Sequence, residues 1–505
     1  MAEKYVIAFD LGTSSMKAIL MDQNANIVAS EKRELHPCFP QEGWAESDPE
    51  AWWRTACVIS NSMLRDSGVS PEAVCAVGFD APSAGFIPVS REKGMLYPSI
   101  IWLDSRASGV ANELNAELAA KTGEEGLRLW SGKDSIPKIV WFMRNQPEIW
   151  AKTDFFLSDT AYMVYKATGN AVISCQDAIS YGVDFETLSW DYALFDAYGI
   201  DRSKLVKVVN ASDTAGHLTE KAAQELGLTP GLPVTAGFSD CSAIEPAGGC
   251  YQPGDASLYI GTSMLFCMTN TDDSPSCATA YNFPSTNPDK KMYLLTNDMA
   301  GGCIDWIVQK LFAPDENALT MDTCYRKVDK LLDTTPPGAN RLFFSTQFCG
   351  ERNPVCDDYV RAGFWNMNPD HNRADLLRAV YEGIGYETRW TLQEFEKSRG
   401  YHFDRLRVSG GGTRSEYLMQ ILADIMNVTL DVIEDAPNAV AKGTGYVALV
   451  AAGALQFGDI GGLIRVSRTY TPHPEYRELY DRGAQLHQKY YETVKDFYQE
   501  VNGSL

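Results

Sequence analysis

Two short apolar runs open the chain, Val6–Phe9 and Met16 with Ala18–Leu20, and between them stand an acid, a glycine and a row of hydroxyls, Asp10-Leu11-Gly12-Thr13-Ser14-Ser15. Runs of this length bounded by turn residues predict two strands joined by a tight turn. A polar turn, Asp22–Asn26, and a third run, Ile27–Ser30, extend this to an antiparallel meander of three strands. Asp48-Pro49 then marks a helix start, an N-cap followed by a first-turn proline, and Ala51, Trp52, Val58, Ile59 and Met63 supply a buried face. Val74–Phe79 reads as the next buried strand, Pro98–Asp104 as a strand ending in polar residues, and helices follow to about Tyr165. Val234–Asp240 is a further strand ending in a carboxylate.

Part of the opening pattern recurs. Ser257–Phe266 repeats the order strand, Gly-Thr-Ser, strand, without the acid. Arg405–Ser409 is a strand running into Gly410-Gly411-Gly412, with a helix from about Ser415 to Met426, and Ala439–Ala452 is a small-residue helix suited to close packing. Two related domains facing one nucleotide account for the recurrence. The glycine-rich Pro246–Cys250 reads as a hinge, which puts the domains at 1–248 and 249–505.

Composition narrows the class. A chain of 505 residues, 45 % hydrophobic and 22 % charged, is long enough to bury large cores without staples. A formal net charge of −22 argues against a nucleic-acid partner, which requires basic patches, but leaves room for an anionic substrate in a local field of opposite sign. The twelve cysteines form no Cys-x-x-Cys pair and the six histidines do not cluster beside them, so reduced, mostly buried thiols are expected rather than zinc ligands. With no signal segment and no run of ~18 apolar residues, no membrane partner is expected and a cytoplasmic enzyme is the natural class.

The turns carry candidate chemistry. Gly12 permits close backbone approach, Thr13 and Ser14 offer donors to phosphate oxygens, and successive amides in such a turn form an anion-binding concavity. Asp10 suits a magnesium ion held through water, and Lys17 could neutralise charge on a moving phosphoryl group. A hairpin whose Asp and Ser only cap the turn uses the same residues. Gly261, Thr262 and Ser263 receive the same account. Gly411 and Gly412, before a helix N-terminus, fit either a flat ligand or tight packing. Asp240 could accept the proton of a hydroxyl attacking a terminal phosphate, or simply cap the segment Cys241–Ala247.

These pieces together resemble the FGGY carbohydrate kinases, of the sugar kinase, heat-shock ATPase and actin superfamily. The matching stretches are Asp10–Ser14, Asp48–Trp53, Trp102–Arg106, Ala236–Asp240, Gly261–Ser263, Gly350–Pro354 and Ser409–Tyr417. The resemblance implies an α/β fold of two ribonuclease H-like domains with an interdomain cleft whose closure excludes water, ATP mainly on the second domain and the sugar mainly on the first. It implies Asp240 as general base, Asp10 and Asp240 as the magnesium-linked acids, Thr13, Ser14 and Thr262 as phosphate contacts, and Gly411, Gly412 and Ser415 as the adenine-side turn. Xylulose kinases of the family usually carry Gln-Met-His-Gly after the Val74–Phe79 strand, and glycerol kinases Gln-Arg-Glu-Thr. This chain has Pro82-Ser83-Ala84-Gly85, so Asp80 and Ser83 become the candidate polar contacts, with Trp102 as a flat wall for a sugar or as a core side chain. The implied activity is ATP-dependent phosphorylation of a primary hydroxyl, first of a pentulose such as xylulose. The alternatives are another sugar, polyol or sugar acid, a silent nucleotide- and sugar-binding sensor, and an ATPase of the same superfamily acting with a protein partner. By analogy with similar kinases, a homodimer is the assembly to test.

Overall fold

The computed structural model describes residues 3–122, 130–270, 281–312 and 328–503. The chain divides into two compact units. Unit 1 comprises Met1–Ala247, Pro284–Lys290 and Val440–Leu463, and unit 2 comprises Gly248–Phe283, Lys291–Ala439 and Ile464–Leu505.

Unit 1 is built on a mixed sheet. Strands β1 (Tyr5–Leu11), β2 (Ser15–Asp22) and β3 (Ile27–Glu34) form the expected antiparallel meander. The outer strand β3 alternates half-buried and exposed residues and ends in Glu31-Lys32-Arg33-Glu34, a charged edge that discourages further pairing. Helix α1 (Pro49–Ser67) follows, its N-terminus capped by Asp48, which accepts from the Glu50 amide at 2.9 Å. Its buried face is Trp52, Trp53, Ala56, Ile59, Met63 and Leu64, whereas Val58, expected on that face, is 54 % exposed, one position off the stripe. The chain returns as β4 (Val74–Ala81), parallel to β1 on the side away from β2. Beyond it lie β5 (Thr214–His217) and β6 (Pro233–Thr235), giving the order β5-β6-β4-β1-β2-β3.

The Val234–Asp240 strand is interrupted. Gly237, at φ 71°, breaks β6 from a two-residue strand β7 (Phe238–Ser239), which pairs with the end of β4. A Cβ on Gly237 would lie 2.6 Å from the Phe79 carbonyl oxygen, so only glycine lets the chain cross here. Asp240 opens helix α2 (Asp240–Gly248) instead of ending a strand, and Pro246 to Gly248 form its last turn. The strand expected over Pro98–Asp104 is likewise only Ser99–Ile100, because the chain turns at Ile101 to let the Asp104 amide reach the Ile101 carbonyl.

Unit 2 repeats the plan. β8 (Ala256–Ile260), β9 (Met264–Asn270) and β10 (Lys291–Asn297) are an antiparallel meander. Helices α3 (Gly301–Ile307) and α4 (Arg373–Arg399) precede β11 (Arg405–Ser409), which lies parallel to β8, and helix α5 (Glu416–Met426) leads to β12 (Thr429–Ile433), parallel to β11. Helix α6 (Ala439–Ala451) belongs to unit 1 from Val440 onward. The order β10-β9-β8-β11-β12 in unit 2 matches β3-β2-β1-β4-β6 in unit 1, so both units have the ribonuclease H-like arrangement. The recurrence of Gly-Thr-Ser is thus the visible part of a repeated sheet.

The small residues of α6 pack as expected. A Cβ on Gly443 would sit 2.2 Å from the Ala243 carbonyl oxygen, and one on Gly78 of β4 would meet Thr444 at 2.9 Å. None of the described cysteines is joined in a disulfide, yet fewer are buried than expected, since Cys38, Cys349 and Cys356 are exposed; Cys277 and Cys324 lie outside the described residues. Among the described residues no helix is long and apolar enough to cross a membrane.

A buried ionic clip holds the Trp102–Arg106 segment. The Asp104 and Arg106 side chains are fully buried and paired at 2.7 Å, Arg106 also reaches Glu46 at 2.8 Å, and its guanidinium lies 3.7 Å over the Trp44 ring. Asp104 further accepts from the Ala45 amide. Removing one member strands a buried charge, so Arg106→Ala should lower unfolding free energy by about 3–5 kcal/mol in a urea titration, and an Asp104→Ala/Arg106→Ala double variant should recover part of that loss.

Burial also sets a pH dependence. Burial pushes Asp159 up to about 7 from the usual 3.8 despite a Ser99 hydrogen bond, and Glu245 up to about 7 from 4.5 despite bonds from Thr286. Both folded values lie above the unfolded ones, so the folded state holds the extra protons and their stabilisation is present in acid and lost as pH rises through about 7. Thermal stability should fall between about pH 5 and pH 7, and an Asp159→Asn/Glu245→Gln variant should show a shallower fall; an unchanged slope would contradict the assignment.

Candidate functional site

In unit 1 the sheet register gathers acids at one end of adjacent strands. Asp10 on β1 lies opposite Asp80 on β4, and Phe238 on β7 lies opposite Asp80 on its other side, which brings Asp240 two residues on to the same end. All three carboxylates are raised, and the charge of Asp10 contributes to the rise of the other two. Asp10 is pushed up mainly by burial, with Lys17 and Lys32 opposing. Asp240 is raised to about 6, first by burial and then by the charge of Asp10, while its own hydrogen bond from the Cys241 amide (2.7 Å) works the other way. Asp80 is raised well above its ordinary value by burial, then by Asp10, with Asp240 adding a smaller push.

The three acids have different surroundings. Asp240 retains partial exposure at the start of α2. Asp10 is mostly buried, with Lys17 across the β1–β2 register and its ammonium 3.8 Å away. Asp80 is fully buried, one carboxylate oxygen accepting from Thr444 of α6 and the other having no partner among the described residues. Asp80 therefore stands with the acids under the sheet end, while Ser83, after it, is half-exposed.

The turn after β1 is tight. The Gly12 amide donates to the Ser15 carbonyl at 2.9 Å, and a Cβ on Gly12 would lie 2.9 Å from that oxygen. Ser14 is exposed and Thr13 half-exposed. Trp102 is 37 % exposed and its indole nitrogen donates to the Thr13 hydroxyl at 2.8 Å. The core-tryptophan alternative for Trp102 is thereby excluded, and the wall candidate and the phosphate-turn candidate are in direct contact.

Asp10 and Asp240 offer hard carboxylate oxygens at a place where like charge is already uncomfortable, the donor chemistry that suits magnesium. Among the described residues no group of three or more His, Cys, Asp or Glu is arranged to hold a metal alone. A cation here would draw the rest of its shell from water and phosphate.

In unit 2 the Gly261–Ser263 and Gly410–Ser415 turns are adjacent because glycine lets their backbones touch. A Cβ on Gly410, at φ 96°, would lie 2.4 Å from the Ile260 carbonyl oxygen, and one on Gly412 would lie 2.5 Å from the Ile260 side chain. A Cβ on Gly411 would meet nothing within 4 Å. Packing thus accounts for Gly410 and Gly412, and Gly411 is the glycine whose backbone faces open space. Gly261 and Thr262 are braced by α3, whose Gly301 and Gly302 amides each donate at 3.0 Å to their carbonyls. Thr262 is exposed and Ser263 half-exposed. Ser415 caps α5, accepting from the Leu418 amide, and donates to Asp329 at 2.7 Å. Asp329 also accepts from the Tyr381 hydroxyl, so it anchors this turn to α4.

Sequence reasoning missed Thr444, Asp329 and the Gly301-Gly302 brace. Each lies far along the chain from what it supports, and a lone Thr or Asp carries no local signal. The Ala300-Gly301-Gly302 run was the one available clue, since paired glycines at a helix start point to a close backbone approach.

The chain matches the models of the FGGY family of carbohydrate kinases, the N-terminal domain over residues 5–244 and the C-terminal domain over residues 256–452. It is 24 % identical over 500 residues to the xylulose kinase of Lactococcus lactis subsp. lactis, covering 97 % of each chain. Among solved structures it is similar to a ligand-bound xylulose kinase from Lactobacillus acidophilus (TM-score 0.86, 21 % identity, covering 99 % of this chain and 100 % of that one). It is equally similar to a gluconate kinase from the same organism (TM-score 0.86, 22 % identity, the same coverage), and these likenesses speak to the fold. With both domain models matched in order over most of its length, and each unit carrying the repeated sheet, the chain belongs to the FGGY family of carbohydrate kinases and is a phosphotransferase.

Proposed function

We propose that this kinase transfers the terminal phosphoryl group of ATP to a primary hydroxyl of a ketose or related sugar, with a pentulose such as xylulose as the leading acceptor. The observation that carries the reading is the register that brings Asp240, partly exposed and held at about 6, to the same sheet end as Asp10. Such a carboxylate is largely ionised at neutral pH yet a stronger proton acceptor than an ordinary aspartate. In the proposed reaction the Asp240 carboxylate accepts a hydrogen bond from the acceptor hydroxyl, orients it toward the phosphorus, and takes its proton late in a loose transition state. Magnesium, when bound with the nucleotide at Asp10 and Asp240, supplies charge neutralisation on the phosphates. Thr13, Ser14 and the Gly12 turn offer donors to phosphate oxygens, and Lys17 can release Asp10 and turn to the moving phosphoryl group. In unit 2, Thr262 and Ser263 offer further phosphate contacts, and Gly411 and the Ser415 cap form the adenine-side turn. Similarity to xylulose kinase supports the pentulose.

A second reading keeps the chemistry and changes the acceptor to another sugar, a polyol or a sugar acid. The small residues Pro82-Ser83-Ala84-Gly85 favour it, because they remove side-chain donors from that wall. A coupled ADP-release screen over pentuloses, hexuloses, polyols and sugar acids separates the two. With the best acceptor, Asp240→Asn should lower turnover about 10²–10⁴-fold while nucleotide affinity, read by equilibrium titration, stays nearly unchanged. An Asp240→Asn enzyme of near wild-type turnover would overturn the proposal.

A further inference from the structure

Two turns of unit 1 carry the residues proposed to face the acceptor, Pro82–Gly85 with Ser83 and Ile101–Asp104 with Trp102. Both are held from beneath by one side chain. Lys138, in the helix Ser135–Asn145, is fully buried, and its ammonium donates to the Ala84 carbonyl at 2.8 Å and to the Ile101 carbonyl at 2.9 Å. Ala84 sits at φ 64°, a left-handed conformation that a non-glycine residue keeps only when its surroundings impose it. Two neighbours complete the support. The Tyr181 hydroxyl donates to the Gly85 carbonyl, and the Asp159 carboxylate, fixed by the Ser99 hydroxyl at 2.5 Å, lies flush against Gly85, where a Cβ would come within 2.1 Å of its oxygen.

A cation is a costly way to fill a core. Burial pushes the Lys138 ammonium down to about 7, with Asp104 and Asp159 only partly restoring it. A methionine would fill the same space without that cost, so the ammonium's particular contribution here is its pair of donors, each spent on a turn carbonyl. We infer that Lys138 is a positioning residue for the sugar acceptor. By tying the two carbonyls it sets the spacing and orientation of Ser83 and Trp102, and acceptor selectivity rests on backbone placement rather than on a long donor side chain. The inference rests on the kinase reading above.

The test compares Lys138→Met, which keeps the volume and loses both donors, with Lys138→Arg, which keeps donors, and with Tyr181→Phe, which removes only the hydroxyl on Gly85. In Lys138→Met the acceptor KM should rise about tenfold or more, with the ATP KM changed less than about twofold; Tyr181→Phe should shift acceptor KM the same way by a smaller factor, and Lys138→Arg should recover part of the loss. Hydrogen exchange should quicken at the amides of 83–86 and 101–104 in Lys138→Met and not in unit 2. A folded Lys138→Met enzyme with wild-type acceptor KM and unchanged exchange in both turns overturns the inference. If Lys138→Met fails to fold, Tyr181→Phe decides on the same two readouts. A wild-type chain that phosphorylates no acceptor overturns the kinase reading instead, and exchange then still decides whether Lys138 holds the turns.

Discussion

The structure turns on the repulsion of three carboxylates that the sheet forces together. Backbone hydrogen bonds along β1, β4 and β7 fix Asp10, Asp80 and the approach to Asp240 in neighbouring register, and a slip by one residue would exchange the side chains that β1 and β4 bury on their two faces. Desolvation then raises all three, and the charge of Asp10 adds to the rise at Asp80 and Asp240. The molecule answers each differently: Lys17 stands by Asp10, Thr444 donates to Asp80, and Asp240 is left partly open with the amide and side chain of Cys241 beside it. A concentration of negative charge with one open member suits a site that meets a cation and a hydroxyl, and it has no evident value for stability.

Unit 2 solves a different problem with sterics instead of charge. Two turns must touch to make one surface, and Gly410 and Gly412 remove the atoms that would keep them apart, while Gly301 lets α3 close on the first of them. A Cβ on Gly411, between Gly410 and Gly412, would meet nothing within 4 Å. Close packing and ligand approach, alternatives when the glycine row is read alone, divide between neighbouring positions. The same duplicated sheet thus presents an acid cluster in one unit and a glycine-lined turn in the other.

Much of this was legible from the chain. The first meander, the Asp48–Pro49 helix start, the recurring Gly-Thr-Ser hairpin and the strand before Gly410 follow from local periodicity and turn chemistry, which the structure retains. The errors share a cause. Val234–Asp240 and Pro98–Asp104 are apolar enough for long strands, but Gly237 and the turn at Ile101 break them to satisfy contacts with distant segments. Val58 is apolar and exposed, which helical spacing alone does not forbid. Thr444 supports Asp80 from 364 residues away, and Lys138 reads as one basic residue among forty-four until its helix is folded beneath the turns. Partnerships across such separations depend on tertiary packing and leave no local pattern.

We propose that register places Asp10 where it meets the cation of a bound nucleotide. Paramagnetic resonance of manganese, substituting for magnesium, measures this directly when titrated with ADP on the wild type and on Asp10→Asn. The account predicts a nucleotide-dependent immobilised manganese signal on the wild type, and a loss of manganese affinity of about tenfold or more in Asp10→Asn with ADP binding in the absence of metal retained. Equal manganese affinity in the two proteins, with both folded and binding ADP, would contradict it.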